Sequence, residues 1–107
     1  MLVLVMTQDI PAVKNVRLFL DLMKTIGVSR DRVCLVMNRY DKRISITPEK
    51  VGENLKQPVV SVIPLDEKIV IPSVNRGVPF MIDNKTQPIA RTIFSLAETV
   101  RAQLAKL

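Results

Sequence analysis

Three runs of strand length, "MLVLVM" (1–6), "RVCLVMN" (32–38) and "VVSVI" (59–63), are apolar almost throughout rather than alternating. A strand with one face in water carries polar residues at every second position. Continuous runs rich in β-branched residues therefore belong to strands covered on both faces, which are characteristic of parallel sheets. Parallel neighbours need crossover connections, usually helices.

The intervening segments supply them. Asp9 can cap a helix with Pro11 in its first turn. Val13, Val16, Leu20 and Met23 recur at helical spacing, Phe19, Leu22 and Ile26 widen the stripe, and Gly27 closes it. A shorter helix is expected from Thr47 to about Leu55, with Pro48 at its first position and Gly52 weakening its interior. A long helix is expected from about Gln87 to Lys106, with Ile89, Ile93, Leu96, Val100 and Leu104 on its buried face. Residues 64–86 are less regular. "DEKIVIPSVNRG" reads as a short helix distorted by Pro72 and closed by Gly77, and "VPFMI" (78–82) as a short extended piece. The pattern predicts an α/β fold of three layers, with about three parallel strands flanked by helices.

Composition narrows the chemistry. There is no histidine, and Cys34 is the one cysteine. That excludes Ser-His and Cys-His catalysis, His-based metal sites, an intrachain disulfide and a thiolate zinc site. Within its apolar run, Cys34 reads as a small core residue. With three Phe, one Tyr and no Trp, the chain lacks the aromatic platform on which single-stranded nucleic acids stack. The net charge of +6 is spread along the chain, and Arg39, Lys42 and Arg43 form its one tight group. A solvated basic surface accounts for this; a phosphate, an acidic partner or a nucleic acid would suit it too. No apolar run is long enough to span a membrane, and "MLVLVM" lacks the preceding basic residues of a signal peptide. A cytoplasmic protein is expected.

In open parallel sheets ligands bind beyond the carboxyl ends of the strands. Those ends carry Thr7-Gln8-Asp9, Asn38-Arg39-Tyr40-Asp41 and Pro64-Leu65-Asp66. Each is also an ordinary strand-to-helix turn by composition. No phosphate cradle is present: none of Gly27, Gly52 and Gly77 is followed by Lys, as a P-loop requires. The chain by itself is expected not to hydrolyse a nucleoside triphosphate.

"TQDIPAVKNVRLFLDLMK", "VCLVMNRYDKR", "VVSVIPLDEK" and "VNRGVPFM", taken in order, resemble the C-terminal part of a MinD/ParA-type deviant Walker ATPase, most of all the TadZ/CpaE pilus-assembly subgroup. The resemblance runs from about Leu2 to Leu104. It implies that residues 1–107 are a C-terminal piece of such a domain, with the P-loop, the switch regions and the Walker B strand lying before the equivalent of Leu2. It implies that Asn38 hydrogen-bonds adenine, that Arg39 flanks the base, and that Pro64 and Asp66 line its other side. "NRG" (75–77) carries over as a structural turn. ATP and Mg in the full-length protein, dimerisation, pilus-assembly or polar-localisation partners and peripheral membrane association are implied likewise.

"NRYD" also resembles the guanine-reading N-K-x-D motif, with Asp41 accepting from the base. Arg39 in place of lysine and "IPLD" in place of a small-residue turn favour adenine. Two other readings stay open. One is a non-enzymatic partner-binding or dimerising module with a degenerate site. The other is a basic nucleic-acid binder using Arg39, Lys42 and Arg43.

Overall fold

A computed structural model describes residues 1–106. Its elements follow the expected order: strand β1 (Leu2–Met6), helix α1 (Ile10–Thr25), β2 (Val33–Tyr40), α2 (Pro48–Leu55), β3 (Val59–Pro64), α3 (Glu67–Arg76), the single helical turn α4 (Phe80–Asp83) and α5 (Pro88–Lys106). The strands form one parallel sheet in the order β1-β2-β3.

The central strand explains its own sequence. Residues 33–37 are buried, and alternate side chains enter two different cores. Val33, Leu35 and Met37 pack with Val16 and Leu20 of α1 and with Val51 and Leu55 of α2. Cys34 and Val36 point the other way, toward Ile63, Ile89 and the α3–α5 side. Burial raises the Cys34 thiol pKa, which keeps it the inert, small apolar group its context suggests. The result is the expected three-layer arrangement.

Local signals set the boundaries. The Asp9 carboxylate accepts from Ala12 N–H at 2.8 Å and starts α1. The Thr7 hydroxyl, then that same N–H, hold the Asp9 carboxyl below its ordinary pKa. Thr47 caps α2 through Lys50 N–H. Gly52 lies within this helix, and a methyl group there would meet nothing closer than Gln57 O at 3.5 Å. Gly52→Ala is therefore expected to stabilise the protein by about 0.5–1 kcal/mol, read as a higher chemical-denaturation midpoint at unchanged slope.

Five sequence expectations are corrected. β1 is not covered on both faces: Leu2, Val3 and Val5 are exposed, because α5 packs over β3 rather than over β1. "VPFMI" is not extended: Pro79 leads into the turn Phe80–Asp83, closed by Asn84 N–H to Phe80 O at 2.7 Å. Among the described residues no strand lies alongside it, and packing of Phe80 into the second core fixes a helical turn instead. Leu104 is 54% exposed, because the last turns of α5 run past the core to which Ile93, Leu96 and Val100 still pack. Leu22 and Ile26 are exposed as well, since α1 presses only its Val16/Leu20 side on the sheet. Pro72 does not interrupt α3, which continues to Gly77 at φ 67°, a left-handed conformation that suits glycine.

Candidate functional site

The β2–β3 ladder loses its regular register between Met37 and Tyr40, so that Asn38 and Arg39 fall in an irregularity at the carboxyl end of the sheet. Arg39 adopts φ 53°, in the left-handed region that non-glycine residues seldom occupy. Bulges of this kind re-aim side chains at sheet ends. The turn is held on both sides. Leu65 N–H donates to Tyr40 O at 2.9 Å, and Arg39 N–H donates to the Asn38 side-chain oxygen at 2.9 Å.

Beyond this bulge lies a cleft of about 400 Å³ between the sheet end, α3, α4 and α5. Asn38, Arg39, Pro64 and Asp66 all line it. Residues from two strand ends, 25 or more positions apart in sequence, thus share one concavity. Its floor is apolar, with Ile63, Val70, Phe80 and Ile89 among its members. Its rim is polar. Asp66 has a structural task there: its carboxylate accepts from Ile69 N–H at 3.3 Å and caps α3. Glu67 follows, and its carboxylate lies 4.0 Å from the Arg39 guanidinium.

The amide of Asn38 is partly committed. Its oxygen takes the Arg39 N–H, which leaves the NH₂ group as its contribution to a ligand. An apolar floor with a few placed polar groups suits a flat, hydrogen-bonding ring such as a purine. The floor residues were not legible as site residues. Ile89 and Ile93 had a periodicity that marked them as core, and nothing local marked Phe80. Glu67 was missed because a charged residue in a first helical turn is unremarkable by itself.

The flanking polar groups have other work. Asp41 is not among the cleft residues; Arg43 binds its carboxylate at 2.7 Å and donates its own N–H to it. These bonds hold the Asp41 carboxyl at a pKa of about 2. A guanine-reading role would need that carboxylate in the cleft. With Arg43 paired to Asp41 and Arg39 beside Glu67, the basic group at 39–43 is partly neutralised, which argues against a phosphate-tracking surface. Gln8, at the end of β1, is buried and spans the next loop. Its amide donates to Ile46 O at 2.7 Å and its oxygen accepts from Asp41 N–H at 2.9 Å. Asn75-Arg76-Gly77 form the turn that ends α3, with Gly77 N–H returning to Ser73 O and Val74 O. Among the described residues, no three Cys, Asp or Glu side chains gather into a metal site.

The three-stranded parallel sheet with its flanking helices has clear structural counterparts. The MinD cell division protein of Aquifex aeolicus superposes with a TM-score of 0.81 at 17% identity, over 94% of this chain and 43% of that one. The same protein in a MinC:MinD complex gives 0.81 at 19% identity, over 94% and 42%. A ParA family ATPase from Chlorobium tepidum gives 0.78 at 22% identity, over 89% and 40%. The fold is that of the MinD/ParA-type ATPases. In sequence the chain is similar to the septum site-determining protein MinD of Thermotoga maritima, 23% identical over 104 residues. It spans 38% of that protein's length. No protein-family model matches the chain.

Proposed function

We propose that residues 1–107 are the base-binding C-terminal part of a MinD/ParA-like ATPase. The cleft that collects Asn38, Arg39, Pro64 and Asp66 over an apolar floor carries this reading. In it, adenine lies on the floor, the Asn38 NH₂ donates to a ring nitrogen, and rim acceptors meet the exocyclic amino group. The cleft fits the base end of a nucleotide. The triphosphate and Mg²⁺ of a bound ATP would be held by residues outside this chain, which alone has no glycine-and-lysine cradle for them. This part alone therefore binds and orients a base and does not hydrolyse ATP.

Within the wider fold we place the chain in the TadZ/CpaE pilus-assembly subgroup, on the strength of "NRYDKR", "IPLD" and "NRGVP" at matching positions in the β/α order. The partners are then pilus-assembly or polar-localisation proteins, and the location is the cytoplasm or the inner face of the membrane. No helix among the described residues is long and apolar enough to cross a membrane. The Aquifex MinD structure with MinC offers a precedent for protein partners on this fold.

Adenosine titrated into isotope-labelled protein tests the base site. Amide shifts at Asn38, Arg39 and Asp66 are expected, with a weaker response to guanosine. Asn38→Ala is expected to weaken adenosine binding by about 1–2 kcal/mol, roughly tenfold, by removing the donor. Unchanged shifts in the variant would sink the assignment.

A separate observation favours self-association. Among the described residues β1 pairs only with β2, and Leu2, Val3 and Val5 on it are exposed. An open, apolar strand edge is a template for another chain. Light scattering is expected to show a mass above that of one chain, rising with concentration; a monodisperse monomer would contradict this.

A further inference from the structure

Arg39 holds a left-handed backbone conformation in which glycine would be unstrained, and it does so at the mouth of the cleft. Such a conformation is strained in a residue with a side chain. The Arg39 N–H bond to Asn38 needs no particular side chain, because any residue but proline supplies it. The backbone therefore does not account for arginine here. The side chain has one charged partner among the described residues: its guanidinium lies 4.0 Å from Glu67, and both side chains are well exposed.

These two residues come from different elements, Arg39 from the end of β2 and Glu67 from the start of α3, and both line the same cleft. Their charged groups approach each other between the two elements. We propose that Glu67 is a positioning residue that holds the Arg39 guanidinium across the mouth as a strap, under which a flat ring is held against the apolar floor. A guanidinium is planar and stacks on aromatic faces, which an ammonium does not do equally well. Left to itself, the long Arg39 side chain would sample solvent, and ordering it on binding would cost side-chain entropy. Glu67 lowers that cost in advance. The proposal rests on the base-binding reading above and adds to it the residue that sets how tightly the ring is held.

The test is adenosine affinity by isotope-edited titration, in low and in high salt, for the wild-type chain, Glu67→Gln, Arg39→Gln, their combination and the charge swap Arg39→Glu/Glu67→Arg. An exposed pair of this kind supports a loss of about two- to fivefold for Glu67→Gln in low salt. That loss should vanish when Arg39 is already Gln and shrink in high salt as screening weakens the pair, while the swap, which takes the guanidinium away from position 39, should bind no better than Arg39→Gln. A residue that only stabilised the start of α3 would act equally in both Arg39 backgrounds. Glu67→Gln binding like wild type, or losing the same factor in the Arg39→Gln background, overturns the strap while leaving the base site intact. Absence of any cleft response to adenosine in the wild-type chain removes the base site and the strap with it.

Discussion

Leu35→Ala is expected to destabilise the protein by about 3–4 kcal/mol, the largest effect of any single truncation considered for this chain. Leu35 is fully buried at the middle of the central strand, opposite Leu4 of β1, with Val59 of β3 as its partner on the other side. Its side chain enters the core that α1 and α2 share. Close packing of Val16, Leu20, Val51 and Leu55 around it limits how far either helix can settle into the void. The cavity term therefore adds to the lost transfer energy. A two-state urea or thermal melt, monitored by circular dichroism, measures it. A loss below about 1.5 kcal/mol would mean that the layers collapse onto the gap more freely than close packing allows.

Gln8→Ala is expected to cost about 2–3 kcal/mol and to loosen residues 41–46 selectively. The side chain satisfies a donor, Asp41 N–H, and an acceptor, Ile46 O, from its position at the end of β1. Truncation leaves both without that partner, and a partly buried unpaired group costs about 1–3 kcal/mol, less where water can reach it. The loop starts directly after the bulge that carries Asn38 and Arg39, so its order bears on the cleft. Amide hydrogen exchange is expected to rise at Asp41 and Ile44 and to stay low in residues 33–37. Uniform exchange across the sheet would show instead that Gln8 supports the whole fold rather than this loop.

Some of the site was readable from the residues. Asn38, Arg39, Pro64 and Asp66 stood at strand ends, and the rule for parallel sheets placed those ends at one edge. That rule gathered Thr7-Gln8-Asp9 as well, which do not line the cleft; the family resemblance, not the rule, singled out the other four. The apolar half of the cleft could not be named. Phe80 comes from a segment whose sequence favoured an extended reading, and the turn it occupies forms because its ring packs into the second core. Glu67 drew no notice because its partner is 28 positions earlier in sequence, beyond any local pattern. Gln8 stood beside Asp9 at a strand end and gave no sign of which loop it would hold.

Sequence alone determined the layers. Continuous apolar runs predict strands covered on both faces, which holds for β2 but not for β1, whose Leu2, Val3 and Val5 are exposed; caps at Asp9, Thr47 and Gly77 mark where helices begin and end, since these are effects of neighbouring residues. Tertiary structure decided which apolar side chains were core and which were left in water. Leu20 and Leu22 belong to the same helix and the same apolar stripe, yet one is buried and the other 55% exposed. It also decided the bulge at Asn38 and Arg39, because register is a property of two strands together and not of either one.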